Sequence, residues 1–350
     1  MLSTRTATIF RSIVEQYIAT AMPVPSRGIL NEYELGVSAA TIRNEMAYLE
    51  QEGYITRPYP SAGSIPSDKG YRYYVESLSE VMLPLAEQRL ISHLFHQIER
   101  ELEKWLHLAA TIMAQLTQNV AIVSVPKPVD CRFKHLELVA LQDLLVLVVL
   151  VLQGARIKQQ LITFDQVISQ PGLMTIANKL NAAYAGLTSP QILAKGTGLL
   201  PIEQKLTDCL LKIMEAEDEQ EYEETYLDGF HFMLSQPEFA HSHQMRVLME
   251  LVENRNLLRI IVPQGLTKYG VQVIIGKENK AEAIHNYSVV ISRYGLANEA
   301  TGTIGMIGPT RMPYARAIPT VDYVSSVLSG LVAELYERET APGQPSMGAN

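Results

Sequence analysis

The sequence predicts an α+β protein, with a helical N-terminal segment ending in a winged loop, then an α/β domain interrupted by a helical subdomain. Apolar residues recur at helical spacing between residues 3 and 55, while apolar runs of strand length crowd 120–164 and return at 270–308. The residues between those two strand blocks read as helix. With 350 residues, 47% apolar and 19% charged, the chain has room for several ordinary folded domains.

The first helix covers residues 3–22, with Ser3 as its cap and Ile9, Phe10, Ile13, Val14, Tyr17 and Ile18 on one face. Pro23 and Pro25 end it, because proline cannot continue the hydrogen-bond ladder. Ser26 caps a short second helix, and "ELG" makes the turn into a third helix capped by Ser38. "YITRPYPSAGSIPS" then supplies a short strand, a loop rich in Pro, Ser and Gly, and a returning strand near Ile65. Three helices followed by a two-stranded loop are the elements of a winged helix-turn-helix. This segment is expected to be a DNA-binding domain over residues 1–80, with connecting helices over 81–118.

Across 84–118, Leu90, Leu94, Ile98, Leu102, Trp105 and Leu106 stand near heptad spacing, as in a connecting helix or a dimer seam. Strands follow at 120–126, 134–141, 144–152 and 156–164, with turns at Gln142-Asp143 and Gln153-Gly154. Helix resumes from 170 to about 260 and includes the acidic tract "EAEDEQEYEE". Further strands at 270–276, 287–295 and 301–308 precede a last helix over 313–338. The expected boundaries are therefore 119–165 with 262–338 for the α/β domain, 166–261 for the insert, and 339–350 for a disordered tail.

Composition excludes several classes. The longest apolar run, "LLVLVVLVL" at 144–152, is too short to cross a bilayer and reads as a buried strand. The N-terminus lacks the apolar core of a signal peptide, and Cys131 and Cys209 make no disulfide framework, which fits a cytoplasmic protein. The net charge of −8 excludes a protein coated in positive charge. Residues 1–78 are nearly balanced, so any nucleic-acid footprint must come from segregation of charge in space.

The third helix supplies the candidate chemistry. At about 100° per residue, Ile42, Met46 and Leu49 fall in a narrow arc. Ala40, Arg43, Asn44, Ala47 and Tyr48 lie opposite, with Thr41 at the margin. A helix entering the major groove needs small residues near its start and a few donors. Arginine can bond guanine, asparagine adenine, and alanine methyls can touch thymine. The candidate DNA-binding residues are Ser26, Arg27, Ser38, Ala40, Thr41, Arg43, Asn44 and Tyr48, with Tyr59, Ser61 and Ser64 in the loop.

"VSAATIRNEMAYLEQEGYI" followed by "PYPSAGSIPSDKGYRYYVESL" resembles the heat-inducible transcription repressor family HrcA, and "GTIGMIGPTRMPYARAIPTVDYVSSVLS" resembles its C-terminal signature. The resemblance implies a winged helix, a GAF-like α/β domain and an inserted dimerising subdomain. It also implies repression of chaperone operons through an inverted-repeat operator, a homodimer, and the GroEL chaperonin as a partner. The family usually carries His, Thr and Arg where this chain has Tyr59, Pro60 and Ser64, Thr where it has Ser67, and Gly where it has Pro25. Loss of a wing arginine implies fewer phosphate contacts.

Catalytic and metal signals are weak. The glycines at 302, 305 and 308 form neither a dinucleotide fingerprint nor a phosphate loop and read as a turn or a close packing contact. His93 with His96, and His241 with His243, lack the cysteine or carboxylate partners of a metal site. No cofactor and no enzyme activity are expected. The alternative is a small-molecule sensor or enzyme built on the α/β domain, with the winged domain as an interaction module.

Overall fold

The computed structural model describes residues 2–32, 38–60, 62–78, 81–99, 101–128, 131–153, 157–195, 198–219, 225–239, 243–253, 257–262, 270–296 and 300–340. In chain order it begins with α1 (Thr4–Thr20), α2 (Ser26–Glu32), α3 (Ala39–Gln51), the short strands β1 (Ile55–Thr56) and β2 (Ile65–Pro66), α4 (Asp68–Ser77), α5 (Leu85–Gln97), α6 (Leu102–Thr117) and β3 (Val120–Ser124). Next come β4 (Lys127–Pro128), β5 (Phe133–Ala140), β6 (Leu145–Leu152), β7 (Ile157–Thr163), α7 (Gln170–Tyr184), α8 (Ser189–Lys195) and α9 (Pro201–Glu219). The chain closes with β8 (Thr225–Asp228), α10 (Phe230–Leu234), α11 (His243–Glu253), α12 (Leu257–Ile261), β9 (Gln272–Ile275), β10 (Tyr287–Leu296), β11 (Ala300–Pro309) and α13 (Tyr314–Thr340).

The fold is α+β in two compact units. The first holds Met1–Val125, Glu224–Gly295 and Gly302–Asn350, and the second holds Pro126–Glu223 with Leu296–Thr301. The main sheet runs β8-β3-β11-β10-β9, with β4 also pairing to β11, and the paired strands with a defined register are antiparallel. β10 and β11 are buried along almost their whole length. The glycines of β11 are packing devices: a Cβ on Gly302 would lie 2.4 Å from the Tyr294 ring.

In the first unit one continuous apolar core joins Ile9, Phe10, Ile13, Ile42 and Leu49 of the N-terminal helices to Met113, Ile304, Tyr314 and Val324 of the α/β body. The N-terminal segment is therefore packed into the same unit as the main sheet. The stretch 84–118 is two helices, because Ile98 and Glu101 adopt extended backbone. Of its heptad-spaced residues, Trp105 and Leu106 enter this core, while Leu90 is exposed.

The second unit has its own core. β5, β6 and β7 form an antiparallel three-stranded sheet whose inner face packs on α7, α8 and α9. The side-chain amide of Asn181 on α7 bonds both the N–H and the carbonyl of Leu136 (2.7 and 3.0 Å). That of Gln170 bonds the Ala140 N–H and the Leu138 carbonyl, both at 2.8 Å, so α7 occupies the backbone of edge strand β5.

The units do not follow the expected insert boundaries. β5–β7 belong with the helices of the second unit, while the segment from 224 returns to the first. There "TYLD" is the edge strand β8, paired with β3, where helix was expected. Pairing with an open sheet edge is a long-range contact, and four residues carry too little pattern to announce it. Gly154 and the tail from 341 lie outside the described residues.

Candidate nucleic-acid interface

α3 is built as an amphipathic helix with both of its ends and its middle held. Ser38 caps it, its hydroxyl accepting from the Thr41 N–H at 3.2 Å. Ile42, Met46 and Leu49 are buried on one side. Glu45 ties the helix to the start of α1, accepting from Thr6 Oγ1 at 2.8 Å and pairing with Arg5 Nε at 3.1 Å. At the far end Lys69 Nζ donates to the Glu52 carbonyl at 2.6 Å.

The opposite face is open. Ala40, Arg43, Asn44, Ala47 and Tyr48 are exposed, Thr41 is half-buried at the margin, and Ser38 is exposed at the tip. Arg27 is exposed on α2, while Ser26 is half-buried as the first residue of that helix. Tyr59 stands on the loop between β1 and β2 with 59% of its surface exposed. Ser61 lies outside the described residues.

Ser64 does not belong to this surface. It is 1% exposed, and its backbone pairs with Val24 in both directions at 2.9 Å. The isolated bridge between Val24 and Ser64 turns that side chain into the packing under the loop. Ser64 leaves the set of candidate contacts, and an arginine there would have to break the bridge before it reached a phosphate.

Folding pairs part of the charge in residues 1–78. Glu15 is paired with Arg11, Glu45 with Arg5 and Glu50 with Arg57, while Asp68 accepts from the Lys277 N–H at 3.0 Å. Among the described residues Arg27 and Arg43 carry no ion pair. Four acidic side chains are thus engaged by neighbours, Glu52 and Glu76 stay exposed, and among the described residues the guanidinium groups of Arg27 and Arg43 remain for a polyanion.

Sequence reasoning missed the residues that hold the segment in place. On α4, Arg72 Nε donates to Glu278 Oε1 at 2.8 Å and Nη2 bonds both the other carboxylate oxygen and the Val273 carbonyl, the latter at 2.7 Å. The Glu278 hydrogen bond raises the Arg72 pKa further. Arg311 pairs bidentately with Glu238 and donates to the Ile18 carbonyl of α1 at 3.1 Å. Between these contacts the Tyr71 ring meets the Tyr314 ring at 5.8 Å, and burial pushes both phenols above their usual range. Only the spacing of Asp68 and Arg72, one helical turn apart, hinted at a shared polar face.

Other sites are sparse. A cavity of about 270 Å³ opens between the end of α4 and α13, lined by apolar side chains such as Leu78, Val271 and Ile318, with Tyr314 and the single carboxylate of Asp322. That lining lacks the convergent polar groups that orient a small ligand. Among the described residues, no cluster of three or more His, Cys, Asp or Glu side chains could hold a metal ion. No described helix is long and apolar enough to cross a membrane.

Comparison with known proteins gives the family of the chain. Residues 103–318 match the family model described as the HrcA protein C terminal domain. A heat-inducible transcription repressor HrcA of Dehalococcoides mccartyi is 53% identical over 336 residues, covering 96% of this chain and 97% of the relative. The repressor of the same name from Herpetosiphon aurantiacus is 38% identical, covering 98% and 99%. A crystal structure described as a hypothetical protein shares the fold, with a TM-score of 0.58 at 24% identity over 95% of this chain and 98% of that one. The chain belongs to the HrcA family of heat-inducible transcription repressors.

Proposed function

We propose that the chain represses chaperone operons by binding an inverted-repeat DNA operator as a homodimer. Residues 1–80 act as a winged helix-turn-helix whose α3 enters the major groove, and the main sheet serves as a GAF-like body. The observation that carries the reading is α3 itself. Its apolar stripe is fully used in packing, and its open face offers Ala40, Arg43, Asn44 and Tyr48. Small residues at the start allow close approach, and the donors match purine edges. Tyr59 on the adjacent loop reaches toward the backbone or minor groove. Repression places the chain with the chromosome in the cytoplasm, and the reading is not enzymatic.

The dimer surface follows from the second unit. The apolar surplus of residues 165–260, including Leu206, Leu210, Leu211, Ile213 and Met214, makes that region the expected dimerising one, but Leu206, Leu210, Leu211 and Met214 are buried in that unit's own core and Ile213 packs against it. The outer face of the three-stranded sheet is one open surface of that unit, with apolar side chains beside the exposed His135, Glu137 and Gln159. Val139, Ile157 and Leu161 are exposed there, beside half-buried Leu145, Leu147, Val149 and Val151. An open apolar sheet face of this kind marks an association surface, and a two-fold operator asks for a two-fold protein. GroEL enters as a partner on family grounds.

The test is quantitative binding of the full chain to an inverted repeat and to a scrambled duplex of equal length, in salt of stated concentration. Selective binding to the repeat supports the reading. Equal affinity for both duplexes would defeat it.

A further inference from the structure

We infer that Arg72 and Glu278, with Asp68 beside them, are positioning residues that set the angle of α3 on the body of its own chain, and through it the half-site spacing the dimer accepts. The inference rests on the DNA-binding reading above and adds a specificity role to residues outside the reading helix. α4 follows the β1–β2 loop and shares the core of α3 and α1, so whatever fixes α4 fixes the reading helix.

Two features of the contact support positioning over simple adhesion. The first is its geometry. A guanidinium held bidentately by one carboxylate, and also donating to a backbone carbonyl, is constrained in both distance and direction. Glu278 is itself fixed, accepting from the Ile275 N–H at 2.9 Å. Asp68 closes on the same turn, and it can do so because residue 276 is glycine with a positive φ of 51°. A Cβ there would lie 2.5 Å from the Asp68 carboxylate. The second feature is exposure. The Arg72 and Glu278 side chains retain 31% and 37% of their surface in solvent, where ion pairs add little to stability. A contact of high directionality and small energetic weight serves alignment. Alignment matters here because two rigidly held reading helices must meet half-sites one helical turn of DNA, or a multiple of it, apart.

The experiment measures binding of the full-length protein to a single half-site and to operators whose half-site spacing is varied one base pair at a time. Arg72→Ala is expected to leave half-site affinity within about twofold, since Arg72 touches no base. Its preference for the natural spacing over neighbouring spacings should fall about threefold to fivefold, because the apolar core still holds α4 in place while no directional contact fixes its angle. Glu278→Gln should show the same loss in milder form, and the exchange Arg72→Glu with Glu278→Arg should recover part of the preference. Thermal unfolding of each variant separates misfolding from misalignment. An unchanged spacing preference in folded Arg72→Ala overturns the inference, as does equal weakening on every duplex, half-site included. Failure of the unmodified protein to prefer any operator over scrambled DNA sinks the DNA-binding reading itself, a result distinct from either.

Discussion

β6 and α3 each bury one side and leave the other open, yet the open sides are of opposite chemistry. β6 buries Val146, Val148, Leu150 and Leu152 and presents Leu145, Leu147, Val149 and Val151 half-covered. α3 buries Ile42, Met46 and Leu49 and presents arginine, asparagine, tyrosine and alanine. An apolar surplus is satisfied by a partner that excludes water, so the contact is long-lived and insensitive to salt. A polar, cationic face meets a hydrated polyanion, so its contact is adjustable and strongly salt-dependent. On the proposed reading, one surface of the chain serves assembly and the other serves DNA recognition.

The largest expected effects come from β6 itself, by choosing which side to disturb. Leu150→Ala, on the covered side, should cost roughly 2–5 kcal/mol in denaturant unfolding, because Leu150 is fully buried and leaves a cavity. Leu147→Asp, on the open side, should leave dilute protein folded while raising the dimer dissociation constant by about a hundredfold or more, read by sedimentation. If Leu147→Asp remains as dimeric as the parent, the open face of the sheet is not the seam.

On α3 the same contrast appears at smaller scale. Arg43→Ala and Asn44→Ala should each weaken operator binding by about 1–3 kcal/mol without moving the unfolding transition. Ile42→Ala should act the other way, through stability, since Ile42 has no exposed surface. Normal operator affinity in both surface variants would remove α3 from the role of reader.

How much of this was legible in sequence depended on range. The stripe of α3 and the strand-length apolar runs between 134 and 164 are local signals, and the structure places helix and strand there. The run at 144–152 announced a buried strand, but apolarity on both sides cannot say whether one chain or two do the covering. Contacts across long separations left no trace. Arg72 and Glu278 are 206 residues apart, and Ser64 is hidden only because it pairs with Val24. The break at 98–101 defeated a heptad reading because the spacing of Leu94, Ile98 and Leu102 is the same whether the helix continues or restarts.

Salt gives the finest separation of the two surfaces. Each neutralised phosphate contributes about −0.9 to the slope of log affinity against log salt. Among the described residues Arg27 and Arg43 have no ion-pair partner, whereas Arg5 and Arg57 are engaged with Glu45 and Glu50 at 3.1 and 3.0 Å. Two to three cationic contacts per chain, doubled in the dimer, predict an operator slope of about −3 to −6. Dimerisation through an apolar sheet face predicts a slope near zero over the same range, because no counterions are released. Titrating operator binding and self-association in parallel between about 50 and 200 mM salt therefore reads both surfaces at once. A slope near −10 for the operator would mean that arginines now paired to glutamate let go on DNA. A dimer that loosens steeply with salt would move the seam from the sheet to a charged surface elsewhere on the chain.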